Sequence, residues 1–138
     1  MNTLHFLQRL SWALVVVWAV TIFILSSLSG QEIEKISPFQ LWDKAEHFIA
    51  YTSGAMLLAF ALKLSTKWSW KRVVLVAAVI ISAFGATDEI HQLFTPGRSG
   101  ADVRDWSADT LGALAGATIA CGIYAVSQRK NSLAPTAD

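Results

Sequence analysis

Cysteine occurs once in this chain, at Cys121, which excludes a disulfide framework and any cysteine-based metal site or thiol chemistry. Charge is scarce as well: Asp, Glu, Lys and Arg make up 15% of the sequence, against ~25% in ordinary soluble domains. Neither sign dominates, with 11 Lys+Arg against 10 Asp+Glu and a net charge of +1, so nothing favours nucleic acid as a partner. There is no HExxH, no phosphate-cradling glycine-rich loop and no serine or cysteine nucleophile signature. Apolar residues fill the space that these absences leave. The 138 residues are 54% hydrophobic, with a mean hydropathy of +0.45, and that composition belongs to an integral membrane protein of one domain.

The apolar residues fall into four runs. The first, 10–28, is LSWALVVVWAVTIFILSSL and carries no charge; about twenty such residues at 1.5 Å rise cross a ~30 Å hydrocarbon core. It exceeds the ~7–15 residues of a signal-peptide core, so it reads as an anchor rather than a cleaved leader. A polar connection, SGQEIEKISPFQLW, follows, with room for a short amphipathic turn at the surface. Further helices are predicted at 43–64, 73–94 and 106–126, which makes residues 1–128 an all-α bundle of four transmembrane helices. Residues 129–138 read as a disordered cytoplasmic tail.

The placing of the charges orients the bundle. Of the 11 basic residues, Arg9, Lys63, Lys67, Lys71, Arg72, Arg129 and Lys130 lie on the amino-terminal flank, the middle loop and the tail. Lys35, Lys44, Arg98 and Arg104 lie on the other two loops. The positive-inside rule therefore puts both termini in the cytoplasm of a bacterial plasma membrane. Apart from Asp138, every acid then falls in or beside the two outer loops. Trp42, Trp68, Trp70 and Trp106 fit interfacial anchors.

The densest polar stretch is 85–116, GATDEIHQLFTPGRSGADVRDWSADTLGALAG. It has a fainter counterpart earlier in the chain. Ser27-x3-Gln31 followed by Asp43-x3-His47-x6-Gly54 is matched by Asp88-x3-Gln92 followed by Asp105-x3-Asp109-x6-Gly116. Each half reads as a helical hairpin, entering the membrane in the same sense as the other. Asp43, His47, Ala50 and Gly54 share one helical face, as do Asp105, Asp109, Gly112 and Gly116. Both faces pass from polar to small, so they are expected to meet, with Gly54, Gly112 and Gly116 as packing residues.

The strings DKAEHFIAY, DEIHQLFTPGR and DWSADTLGALAG, in this order and spacing, resemble the VanZ-like family, named for a protein linked to teicoplanin resistance. The likeness runs from about Ser26 to Gly116. Positions that match the family pattern are Asp43, Lys44, His47, Asp88, Glu89, Gln92, Arg98, Asp105, Gly112 and Gly116. Asp109 stands where many members have Asn. The resemblance implies a multi-pass cell-envelope protein with a role in glycopeptide resistance, and no established reaction.

Read from their chemistry, Asp43, His47, Asp88, Glu89, His91, Asp105 and Asp109 offer oxygen and imidazole donors at three helix ends. Such donors suit a divalent metal, with Asp88, Glu89, Asp105 and His47 as the expected ligand set. Lys44 and Arg98 suit a phosphate head group, with Gln92 and Asp43 beside them as further binding residues. If the ligand is also turned over, His47 is the candidate acid or base and Asp88, Glu89 and Asp105 the groups that activate water. The expected partner is an anionic lipid or lipid-linked cell-wall precursor in an outer-face pocket, besides the bilayer itself.

Each residue also has a structural reading. Asp43, Asp105 and Asp109 suit helix starts, where acids meet the positive end of the dipole. Asp88 and Glu89 end a helix, where the dipole opposes them, so they need partners; Arg98 and His47 are the candidates. Tyr51, a turn beyond His47, is placed to hydrogen-bond into the cluster or to line the interface. The alternative function is thus a non-catalytic scaffold whose outer charges form a salt-bridge network. A transporter fits less well, since the helix middles lack ionisable residues. Four short helices leave room for a homo-oligomer.

Overall fold

The computed structural model describes residues 2–36 and 42–133, with side chains through Arg129. Within them the chain is all helical: α1 Thr3–Ser27, α2 Gly30–Ile36, α3 Asp43–Ser65, α4 Trp70–Gln92 and α5 Val103–Leu133. Four of the five, all but α2, are long and apolar enough to cross a membrane. Large apolar side chains such as Val16, Val17, Leu75, Val79 and Leu111 face outward, as the lipid-facing surface of a bundle requires.

The helices begin where short polar side chains take up free N–H groups. Asn2 Oδ1 accepts from Leu4 at the start of α1, Ser69 Oγ from Arg72 at the start of α4, and Asp102 Oδ1 from Arg104 at 2.7 Å at the start of α5. The Asn2 cap explains why α1 starts at Thr3 and not at residue 10; the added turns hold Gln8, which donates to the Leu64 carbonyl at 2.7 Å. At the other end, no glycine or proline interrupts AVSQRKNSL, so α5 runs to Leu133 through part of the expected tail. The rest of that tail, 134–138, lies outside the described residues, as does Pro38 of the polar connection after α1.

That connection contains α2, seven residues of helix with the carboxylate half of a capping box. Glu32 Oε2 accepts from Ser29 N–H at 2.9 Å and from Ser29 Oγ at 2.6 Å. The Ser29 hydroxyl, then its N–H, hold the Glu32 carboxyl below the usual carboxylate range.

The two returning helices, α3 and α5, make the most extensive contact in the bundle; α4 packs on α5 and α1 on α3. Small residues allow it. Ala55, Ala59, Ala113, Ala117 and Ala120 are fully buried, and a side chain at Gly112 or Gly116 would run into backbone of Phe48 or Thr52 on α3. Thr52 Oγ1 donates to the Gly112 carbonyl at 3.2 Å across this seam. Gly54 packs elsewhere, under the Trp18 ring of α1, whose Nε1 donates to the Ala50 carbonyl at 3.1 Å. Lys63 lies over the Tyr124 ring at 5.2 Å, so the start of α1, the end of α3 and the late part of α5 gather at one face. The acids gather at the opposite one.

Candidate functional site

The polar end is built from the starts of α3 and α5, the end of α4 and the loop between α4 and α5. Lys44, from the first turn of α3, places its Nζ among three carboxylates: Asp105 at 2.5 Å, Asp43 at 2.8 Å and Asp102 at 3.4 Å. Asp105 is 2% exposed, so its charge depends on that ammonium. Asp102 also caps α5, and its carboxyl is held below the usual range chiefly by the Arg104 N–H, with Lys44 adding to it.

One turn deeper on the same helices, His47 Nδ1 meets Asp109 Oδ1 at 2.9 Å and stands 4.0 Å from Glu89 Oε1. Asp109 is fully buried and Glu89 nearly so. Room for the Asp109 carboxylate comes from α4: a Cβ on Gly85 would lie 2.7 Å from Asp109 Oδ2 and 3.1 Å from the Tyr51 ring. Glu89 is held by the loop that follows its helix, where its carbonyl accepts from Ala101 N–H at 3.0 Å and its Oε2 from Asp102 N–H at 2.9 Å. Ala101 takes a left-handed φ of 58° to present them. Glu89 Oε1, Asp109 Oδ2 and Tyr51 Oη have no hydrogen-bond partner among the described residues.

Asp88 and Gln92 face α1 instead. Gln92 Nε2 donates to Asp88 Oδ2 at 3.1 Å and to buried Ser26 Oγ at 3.2 Å. The loop closes onto the same corner, with Gly30 N–H donating to Pro96 O at 3.2 Å and Thr95 Oγ1 to Ser26 O at 3.2 Å. Gly30 has no space for a side chain, because a Cβ there would run into the Gly97 carbonyl, and Gly97 itself takes a left-handed φ of 73° that favours glycine.

Between these groups opens a cavity of about 500 Å³, lined by Asp43, Glu46, His47, Gln92, Arg98 and Asp105 among others. A smaller recess of about 130 Å³ adjoins it, sharing Glu46, His47, Gln92 and Arg98, and is closed by Ile22, Leu25, Ala50, Tyr51 and Asp88. The mouth is charged and the depth largely apolar. Arg98 lines both spaces, yet its guanidinium makes no ion pair with any described residue. The clamp of Arg98 on Asp88 and Glu89 foreseen from the sequence is therefore not formed; the loop carries Arg98 past those acids to the cavity wall.

A family model described as VanZ/LLP1 matches residues 6–125. The chain belongs to the VanZ/LLP1 family. No curated protein and no solved structure matches it. In this VanZ/LLP1 protein the candidate donors form two groups sharing His47: Asp43, His47 and Asp105, and His47, Glu89 and Asp109, each with donor atoms within 4.8 Å of one another; of the expected ligand set, Asp105 falls in the first and Glu89 in the second. Asp88 joins neither. His91 lies apart, stacked on Phe23 at 4.8 Å with Nε2 3.0 Å from Ser27 Oγ, a contact between α1 and α4. Trp42 is exposed, and Trp106 Nε1 donates to Ser82 O at 3.1 Å.

Gly85, Ser26 and Asp102 were not singled out from the sequence. Gly85 shares the face of Asp88 and Gln92 at helical spacing, and Asp102 has the position of a cap in ADVRD. Ser26 carried no signal, being one serine at the end of an apolar run.

Proposed function

We propose that this protein binds an anionic lipid, or a lipid-linked cell-wall precursor, through its phosphate in the cavity beside Arg98. The observation that carries this reading is Arg98 itself: a guanidinium on a cavity wall with no ion pair among the described residues suits a planar, bidentate contact with phosphate. The apolar recess behind the cavity suits the uncharged part of the same ligand. The basic residues at the far end of the bundle support a plasma-membrane protein with cytoplasmic termini and an outward-facing cavity. The VanZ resemblance adds glycopeptide resistance as the cellular role.

A second reading, a scaffold with a charged lid, is favoured by one observation. Lys44 is already paired with Asp43, Asp102 and Asp105, an arrangement that suits a structural role. Native mass spectrometry of the detergent-purified chain separates the two. A co-purifying anionic lipid that is lost in Arg98→Ala and kept in Arg98→Lys supports the binding site. Absence of lipid from the wild type, or the same lipid retained in Arg98→Ala, supports the scaffold.

A further inference from the structure

We infer that His47, Glu89 and Asp109 form a binding site for one divalent first-row cation of the Zn²⁺ or Mn²⁺ type, at the inner wall of the cavity. The sequence reading placed Asp88 and Asp105 in such a set, but the structure assigns those two to other duties. Asp105 is held by Lys44 at 2.5 Å and Asp88 by Gln92 at 3.1 Å.

Three observations select the remaining group. First, charge is unbalanced there: among the described residues, His47 is the sole basic side chain within ion-pair distance of Glu89 or Asp109, and Asp88 has none. Carboxylates buried inside a membrane bundle are costly to keep charged without a counter-charge, and a divalent cation would supply it. Second, Glu89, 3% exposed, and Asp109, 0% exposed, each keep an oxygen with no hydrogen-bond partner. The free Glu89 oxygen, Oε1, is the one aimed at His47 Nδ1. A buried acceptor without a donor is costly unless a cation occupies its lone pairs.

Third, the spacing fits. His47 Nδ1 is 2.9 Å from Asp109 Oδ1 and 4.0 Å from Glu89 Oε1, and one donor atom from each residue lies within 4.8 Å of the others. An ion held at about 2.1 Å spaces its donors about 3.0 Å apart when adjacent and about 4.2 Å when opposite. Support is in place too. Asp102 N–H fixes the other Glu89 oxygen at 2.9 Å, as outer hydrogen bonds orient the carboxylates of a metal site. One nitrogen and two carboxylates suit a borderline cation better than Ca²⁺ or Mg²⁺. Three protein ligands leave coordination positions open, and His47 borders the cavity, so those positions are reached from it.

The test uses the full chain in detergent, purified without chelator for elemental analysis, then stripped and titrated with Co²⁺ while its visible absorption is followed. The expected result is one equivalent of metal per chain and a nitrogen-ligated Co²⁺ spectrum, with affinity reduced more than ~10-fold in Glu89→Gln and in Asp109→Asn. Asp43→Asn and Arg98→Ala should keep the spectrum, which separates this site from the lipid contact. Metal-free wild type that gives no Co²⁺ spectrum overturns the inference, and so does undiminished affinity in both ligand variants. Should a variant fail to fold, the wild-type titration decides alone.

Discussion

His47 and Asp109, joined at 2.9 Å, hold matching places in the two hairpins, each four residues after an aspartate that itself contacts Lys44. The closest parallel helices, α3 and α5, thus bring the corresponding polar turns of the two halves together, with the Lys44 ammonium set among the upper acids and the His47 imidazole against Asp109.

Removing one member of that pair should be costly. His47→Ala leaves Asp109 buried without a partner, and about 3–5 kcal/mol of stability is expected to go. Asp109→Asn keeps an oxygen that accepts from the imidazole, so its loss is expected to be nearer 1 kcal/mol. Unfolding in mixed micelles with increasing SDS measures both. The double variant should lose less than the sum of the singles.

The seam below the cluster makes a second test. A Cβ on Gly116 meets the Thr52 backbone, which cannot rotate away, whereas a Cβ on Gly122 meets nothing within 4 Å. Gly116→Ala is expected to cost about 1–3 kcal/mol through forced separation of α3 and α5. Gly122→Ala, on the same helix, should gain about 0.5–1 kcal/mol from helix propensity. Thermal unfolding of the two variants side by side checks the contrast.

The loop that grips Glu89 offers two more. Ala101 sits at φ 58°, where its Cβ costs about 1 kcal/mol, so Ala101→Gly should raise the melting temperature while leaving the two hydrogen bonds to Glu89 in place.

Asp102 next to it has a depressed pKa, so its contribution is present above the unfolded value of about 3.9 and is lost as pH falls through the lower folded value. The melting temperature of Asp102→Ala should therefore lie below that of the wild type at pH 7, with the gap closing under strongly acid conditions.

Much of this was readable from periodicity. Four apolar runs with basic residues massed between the second and third specify a hairpin pair, and the repeated Asp-x3-His and Asp-x3-Asp spacings mark the polar turns of α3 and α5 that meet at His47 and Asp109, while below them Gly112 and Gly116 pack on Phe48 and Thr52 and not on the expected Ala50 and Gly54. What spacing does not carry is the path of a loop. Ten residues from Leu93 to Asp102 decide that Arg98 passes Asp88 and Glu89 by, and that Glu89 turns to His47 while Asp88 turns to Gln92 and Ser26. Neighbouring acids in DEIHQ look alike on paper; a 100° step around the helix separates their fates. Gly54 is a similar case, small on the expected face but pressed by Trp18 from a helix that the repeat says nothing about.

Arg98 is where structure and function come apart most cleanly. It has no ion pair with a described residue and is only half-buried, so Arg98→Ala should change stability by no more than about 0.5 kcal/mol. Lys44→Ala, which leaves the buried Asp105 carboxylate without its ammonium, should destabilise strongly. If a phosphate is the ligand, losing its charge-assisted contact removes about 1.5–3 kcal/mol of binding, a weakening of roughly 10- to 100-fold. Titration of the purified chain in nanodiscs with a short-chain anionic phospholipid measures this directly. Weak binding by a well-folded Arg98→Ala protein, with affinity largely recovered in Arg98→Lys, would place the phosphate at residue 98; equal affinity in all three proteins would remove it.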